Sequence, residues 1–88
     1  MPTRWTIEGF QSDKATGFSR KETATEREIT LLLQRLAARH LTDDEITDAT
    51  LRSSTYFEIN REKHPGKPMQ FSTTGTDHYY VAIEVRDA

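Results

Sequence analysis

The feature that most limits the fold of this chain is an amphipathic helix pattern between residues 23 and 40. Apolar side chains and one histidine recur there every three or four residues, which is the spacing of one side of an α-helix. They are Ile29, Leu32, Leu33, Leu36, Ala37 and His40. Two overlapping capping boxes are available at the start, Thr23–Glu26 and Thr25–Glu28. In either box a hydroxyl and a carboxylate satisfy free amide groups. A helix with one apolar side needs a second layer to cover it.

Four other segments alternate between apolar and polar residues, which is typical of half-buried strands. They are residues 4–10, 54–60, 69–73 and 78–85. The last segment has the most regular pattern. We expect it to point Tyr79, Val81, Ile83 and Val85 toward the helix, and Trp5, Ile7, Met69 and Phe71 to lie on the inner side of the other strands.

These elements predict a two-layer α+β fold in the order β-α-α-β-β-β, with one long amphipathic helix packed on a small, mainly antiparallel sheet. A capping box of Thr42 and Glu45 predicts a second, shorter helix that reaches about Leu51. The last three strands must be antiparallel because their connections are short, whereas the first strand can join beside the second or beside the last. Residues 11–22 are mostly polar and predict a flexible loop or, alternatively, a short strand around Phe18.

The length of 88 residues fits one domain that spans residues 1–88. Only 34% of the residues are apolar, so the core should be thin. The sequence has no cysteine, which excludes disulfides, thiol nucleophiles and zinc–thiolate centres. Its longest apolar run is the three residues Leu31–Leu33, so we expect no membrane partner. The first residues lack the apolar stretch of a secretory signal, and we therefore expect a cytoplasmic protein.

The residues that could carry catalysis or bind a metal form no recognised motif. The three histidines, His40, His64 and His78, have no metal-ligand spacing, so we expect neither a metal nor another cofactor. A site of two histidines with Asp77 is left open. His40 continues the apolar side of the helix and is expected to be a packed histidine or one that interacts with the last carbonyls of the helix. The four glycines lie too far apart to form a phosphate-binding loop. Catalytic residues therefore stay unknown, and we expect a protein without enzymatic activity.

The predicted solvent side of the sheet suggests a binding surface. Its candidate partner-binding residues are Tyr56, Glu58, His78, Tyr80 and Glu84. Tyrosine is enriched at protein interfaces and the rims of interfaces are polar. We therefore predict a small protein-binding module, such as a regulator, an inhibitor or an assembly subunit, that uses the open face or an edge of the sheet. Self-association into a homodimer would also supplement a thin core. A plain solvated face has the same alternation of polar residues.

One loop supports an alternative function in nucleic-acid binding. Its basic residues are Arg61, Lys63, His64 and Lys67. Such a loop can contact a phosphate backbone, although the formal net charge of −2 gives no general attraction to nucleic acid. Charged loops with proline and glycine are also ordinary connections between strands.

The predicted order of strand, two helices and three strands resembles that of small ribosome-dependent endoribonuclease toxins of similar length. This resemblance implies a second alternative, a small ribonuclease, at the level of the fold alone. Those toxins generally carry clusters of arginine and lysine on the sheet. Here the predicted outer side bears Glu8, Glu58 and Glu84, so no catalytic residue is carried over from that family.

Overall fold

The chain folds into strands and helices that build two layers. A computed structural model describes residues 2–52, 57–74 and 77–86. The strands are β1 (Thr3–Gln11), β2 (Lys14–Ala24), β3 (Ile59–Glu62), β4 (Gln70–Thr73) and β5 (His78–Glu84). The helices are α1 (Glu26–Ala38) and α2 (Asp43–Leu51). The predicted α+β fold, with helices packed on an antiparallel sheet, is confirmed, and the sheet has one strand more than predicted.

Both helices begin with a complete capping box. Thr25 caps α1 together with Glu28, so the later of the two predicted boxes forms. Thr42 caps α2 together with Glu45, as predicted. In each box the threonine hydroxyl accepts a hydrogen bond from the amide three residues on, and the glutamate accepts one from the threonine amide. These contacts satisfy amides that a helix start otherwise leaves without a partner.

The sheet is antiparallel throughout, in the order β2-β1-β5-β4-β3. The predicted three-strand meander is confirmed, since β3, β4 and β5 are neighbours in sequence order. Its first strand is predicted at residues 54–60, but β3 spans Ile59–Glu62, and residues 54–56 lie outside the described residues. The first strand joins beside the last, which is one of the two positions that the sequence leaves open. Strand β5 is therefore the central strand of the sheet, and β2 and β3 are its edges.

The segment 11–22, predicted as a loop or as a short strand around Phe18, is mostly the long strand β2, so the loop prediction is wrong. Ser12 and Asp13 have φ angles of 49° and 66° and form the turn between β1 and β2. Two-residue hairpin turns usually carry Asn-Gly or Asp-Gly, so Ser-Asp is a weak turn signal. Most side chains of this edge strand are exposed. The apolar alternation that predicts a strand is therefore missing.

The core lies between α1 and one face of the sheet. Its members are Trp5, Ile7, Ile29, Leu33, Leu36, Met69, Phe71, Tyr80 and Ala82. The inner sides predicted for β1 and the strand that carries Phe71 are confirmed, and that of α1 is confirmed as far as Ala37, whereas His40 is exposed. The indole Nε1 of Trp5 donates a hydrogen bond to the carbonyl of Ala24 at 2.9 Å, which gives the polar atom of this buried side chain its partner.

The side of the central strand β5 that faces α1 is not the side that its sequence pattern predicts. Tyr80 and Ala82 are 6% and 0% exposed, whereas Ile83 is 37% exposed. Ala82 pairs with Ile7, and paired residues share a face, so Ala82 lies on the core side. Apolar residues occupy both sides of β5, and alternation alone does not distinguish the inner side. The prediction that Tyr79, Val81, Ile83 and Val85 face the helix is wrong.

Helix α2 adds little to this core. None of its residues is buried, and Leu51 is 72% exposed. Ile46 and Ala49, predicted to point inward, are half-buried. Within the described residues, neither helix is long and apolar enough to cross a membrane.

Candidate functional site

In the part of the chain that the structure describes, the side of the sheet that points away from α1 is not covered by either helix. We call it the open face: the side chains of the five strands that alternate with the core residues. The pairing register shows which residues belong to the open face, because residues opposite one another on neighbouring strands share a face. Among the described residues, every side chain of this face is half-buried or exposed. An antiparallel sheet commonly leaves one face to water in this way.

Apolar side chains run along the middle of the open face. Tyr79, Val81 and Ile83 alternate along β5, and Phe10 of β1 pairs with Tyr79. The rings of Phe10 and Tyr79 are stacked, with centroids 5.2 Å apart and an angle of 13° between their planes. We call these four residues the central stripe. A purely solvated face would carry polar residues at these positions.

A hydrogen bond fixes one end of the central stripe to the β1–β2 turn. The hydroxyl of Tyr79 donates to the carboxylate of Asp13 at 2.8 Å. This hydrogen bond is the main cause that raises the pKa of Tyr79, and desolvation and the charge of Asp13 act in the same direction. The backbone amide of Ser12 also donates to the carbonyl of Asp77 at 3.1 Å. The turn is therefore held against the start of β5.

Charged residues of opposite sign lie at the two ends of one row across the open face. The row is Lys21, Thr6, Ile83, Gln70 and Glu62, in the order of the strands from β2 to β3. Lys21 and Glu62 are both exposed. The nitrogen Nδ2 of Asn60 donates to the Oε1 of Glu62 at 3.2 Å. We call this the charged row, since it is cationic at β2, apolar at β5 and anionic at β3.

The next row along the strands is polar on both sides of its centre. It consists of Ser19, Glu8, Val81, Ser72 and Asn60. We call it the polar row. Only Glu8 in it is charged, and only Val81 is aliphatic. The two rows together surround the aliphatic part of the central stripe with hydrogen-bonding side chains, which is the arrangement of an apolar centre and a polar rim.

A second cluster joins two of the three histidines at the end of α1. The rings of His40 and His78 are stacked, with centroids 4.1 Å apart and 4° between their planes. The Nε2 of His40 is hydrogen-bonded to the hydroxyl of Tyr80 at 2.7 Å. Burial is the main cause that lowers the pKa of His40, and the charges of His78 and Arg39 lower it further. His40 is nevertheless exposed, so its packing is limited to these contacts of the ring.

The histidine cluster offers little to a metal ion. Tyr80 already occupies one ring nitrogen of His40, and stacked rings do not direct their nitrogens toward a common point. Among the described residues, no group of three or more histidines, aspartates and glutamates is placed to hold a metal. The arrangement instead joins the end of α1 to β5, so its clearest role is structural.

The five residues predicted to bind a partner do not form one surface. Tyr56 lies outside the described residues. Glu58 is exposed just before β3. Tyr80 is buried, and the register places His78 and Glu84 on the same side of β5 as Tyr80. The prediction that these three lie on the outer side is wrong, because the larger apolar residues of β5 do not lie on its inner side.

Glu84 has a structural role near the end of the core. Its Oε1 accepts a hydrogen bond from the backbone amide of Met69 and lies 3.2 Å from the Nε of Arg86. The Met69 hydrogen bond is the main cause that lowers the pKa of Glu84, and Arg86 lowers it further. These contacts join β5 to the residue that precedes β4.

The basic residues of the alternative nucleic-acid site are also divided. Arg61 lies in β3 on the side of α1, where its Nε is 3.3 Å from the Oε1 of Glu26 and its guanidinium lies 5.9 Å from the ring centre of Phe71. Lys63, His64 and Lys67 are exposed in the connection that follows. Arg61 is thus engaged with the helix and the core, and three of the four predicted residues share the loop.

Comparison with family models, curated proteins and solved structures finds no match for this chain. The four residues of the central stripe, Lys21 and Glu62 are not among the binding residues predicted from the sequence. Tyr79, Val81 and Ile83 were expected in the core, and Lys21 fell in the predicted loop. Only the pairing register brings them together, and no local pattern encodes that register.

Proposed function

We propose that this chain is a non-enzymatic protein-binding module and that the open face is its binding surface. The observation that supports the proposal is the central stripe, which places apolar side chains on the middle strand of a face that is otherwise polar. Contiguous apolar residues on a small protein's surface mark interaction sites. Specific interfaces combine such a centre with a polar rim. A regulator, an inhibitor or an assembly subunit would use a surface of this kind.

The open face suits this role better than the edges of the sheet. Strand β2 is an edge of eleven residues, but its pairing with β1 is interrupted by a register shift between Glu8 and Phe10. It also carries Lys14, Arg20 and Lys21. Bulges and charged side chains discourage the addition of another strand. The other edge, β3, has only four residues, so a partner strand would gain few hydrogen bonds there.

The test compares one substitution on the open face with a matched one elsewhere. Ile83→Glu places a charge in the central stripe, and Leu31→Glu places one on α1. The two residues are similarly exposed, at 37% and 43%. Tagged wild-type protein and both variants are used to capture partners from native cell extract, with and without nuclease, and captured proteins are identified by mass spectrometry. Circular dichroism checks that each variant is folded.

The proposal expects a protein that is captured in stoichiometric amount, resists nuclease and is lost only with Ile83→Glu. A further copy of the same chain counts as such a protein. Equal capture by folded Ile83→Glu and by the wild type would reject the open face. Loss of all captured material on nuclease treatment would instead favour the nucleic-acid alternative. In that case charge reversal of Lys63 and Lys67 should abolish capture, and binding should weaken steeply with salt.

A further inference from the structure

We infer that the open face binds a second copy of this chain, with the two sheets face to face and the two-fold axis of the dimer running along β5. The inference rests on the proposed function, because it names the partner of the same surface. It is supported by the order of charges across the sheet. Two-fold dimers are the commonest oligomers, and their interfaces must be self-complementary.

The charged row is self-complementary about β5. Lys21 and Glu62 lie in the same row, each two strands away from β5, on opposite sides. A half-turn about β5 exchanges the two sides and keeps the row in place. Lys21 of each copy then lies opposite Glu62 of the other. Packed sheets are about 10 Å apart, a gap that extended lysine and glutamate side chains together can bridge.

The remaining positions of both rows also match under this rotation. Thr6 lies opposite Gln70 of the other copy, and both can form hydrogen bonds. Glu8 lies opposite Ser72 of the other copy, whose hydroxyl can donate to a carboxylate. Val81 and Ile83 lie on the axis and meet their own counterparts. The arrangement therefore buries the aliphatic stripe and places no two like charges opposite one another, which matters because such pairs disfavour association.

An axis perpendicular to β5 gives a poorer match. With such an axis between the two rows, each strand lies opposite the same strand of the other copy, and the charged row lies opposite the polar row. Lys21 then lies opposite Ser19 and Glu62 opposite Asn60, so neither charge meets an opposite charge. The pairing of Lys21 with Glu62 thus selects the axis along β5 and makes the orientation of the dimer testable.

The size of the face limits the strength of the dimer. Strands lie about 4.8 Å apart and side chains of one face recur about every 6.7 Å along a strand. The two named rows and the row of Phe10 and Tyr79 cover roughly 20 by 20 Å on the five strands, so the faces of two copies present roughly 800 Å². This is smaller than a standard specific interface. We therefore expect a weak, reversible dimer.

Two single charge reversals and their mixture test the inference. Lys21→Glu puts glutamate opposite Glu62 at both ends of the interface, and Glu62→Lys puts lysine opposite Lys21. Each variant alone should raise the dissociation constant at least about tenfold. An equimolar mixture should restore dimers, since both contacts then join opposite charges. The measurement is sedimentation equilibrium of the full chain. Lys14→Glu serves as the control, because it makes the same change of charge in β2 away from both rows.

Each outcome decides the inference. A wild-type dimer, two monomeric variants and a dimer in their mixture support it, and the double variant Lys21→Glu/Glu62→Lys should then dimerise by itself. A wild type that stays monomeric at high concentration overturns it, as does a mixture that stays monomeric or a dimer that tolerates both reversals. The proposed function has its own test. Capture of another protein that is lost with Ile83→Glu keeps the open face as a binding surface even if the dimer fails.

Discussion

The two sides of strand β5 differ in apolar content, and the less apolar side is the buried one. One side carries Tyr80 and Ala82, which are buried beneath α1. The other carries Tyr79, Val81 and Ile83, which lie on the open face and are half-buried or exposed. The buried side has the smaller aliphatic residue. Burial in this strand therefore follows pairing register and the room beneath the helix, rather than the hydrophobicity of the strand's own residues.

The residues that surround β5 explain why Tyr80 and Ala82 are on its buried side. Ala82 lies beside Ile7 and belongs to the same core cluster as Ile29 and Leu33 of α1. Tyr80 packs edge-on against Phe18 and reaches His40 with its hydroxyl. A tyrosine at the margin of a core can bury its ring and still satisfy its polar atom. The larger aliphatic residues, Val81 and Ile83, lie on the open face.

The largest expected effect comes from a core residue in β1. Trp5→Ala should lower the free energy of unfolding by about 3–5 kcal/mol, because it leaves a cavity under α1 and removes a hydrogen bond to Ala24. Thr6→Ala is the matched change on the open face and should cost within about 0.5 kcal/mol. Urea denaturation of both variants measures the difference. Equal losses would contradict the division of β1 into a covered side and an open side.

A smaller effect is expected at Gly9, which pairs with Tyr80 on the covered side. A Cβ atom at residue 9 would lie 3.0 Å from the ring of Tyr80 and 3.1 Å from the Cβ of Phe18. Gly9→Ala should therefore cost roughly 1–3 kcal/mol through overpacking. The control is Gly17→Ala, where a Cβ meets no atom within 4 Å but φ is +88°. If Tyr80→Ala fails to relieve the cost of Gly9→Ala, crowding against the ring of Tyr80 is not its cause.

Local signals predicted those parts of the fold that local contacts determine. The capping boxes and the apolar side of α1 indicate a helix from Thr25 onward, and short connections make the last three strands antiparallel. Strand β2 is different, since its turn residues Ser12 and Asp13 are unusual and its edge position leaves most side chains exposed. Its formation depends on pairing with β1, which no pattern within residues 11–22 encodes.

The candidate site was harder to predict than the fold, because it depends on register across five strands. The charged row joins Lys21 to Glu62 over 41 positions of sequence. A shift of one residue in β5 would exchange its two faces, and the sequence pattern favoured the wrong one. Tyr80 was therefore expected on the open face, and Tyr79 and Ile83 in the core. Such errors are expected wherever both sides of a strand are apolar.

A modest effect of pH is expected at the margin of the covered face. Burial, His78 and Arg39 hold the pKa of His40 below its ordinary value of 6.5. The folded state thus binds fewer protons than the unfolded state. The free energy of unfolding is therefore highest above pH 6.5, and it falls as the pH drops through 6.5 toward the lowered pKa. Glu28 and Glu84 also have a lowered pKa, but their ordinary value is 4.5, so their contributions are lost in a more acidic range.

The measurement is urea denaturation of the wild type and of His40→Asn between about pH 8 and about pH 5.5. The wild type should lose stability toward the acidic end of this range. His40→Asn should vary less with pH, since asparagine can hydrogen-bond to Tyr80 but does not titrate. The same dependence on pH in both proteins would remove His40 as its source.

The smallest effect should come from the open side of β5. Ile83→Thr should change the stability of the monomer by within about 0.5 kcal/mol, because Ile83 is already 37% exposed and threonine is favourable in strands. Its neighbour supplies the matched change: Ala82→Thr forces a hydroxyl into a site that is 0% exposed and should cost about 1–3 kcal/mol. Denaturation is measured at protein concentrations well below those that form dimers. If Ile83→Thr were as costly as Ala82→Thr under these conditions, the open face would already be covered within one chain. The open face could then not bind a partner through Ile83, because burial of Ile83 would already contribute to the free energy of folding.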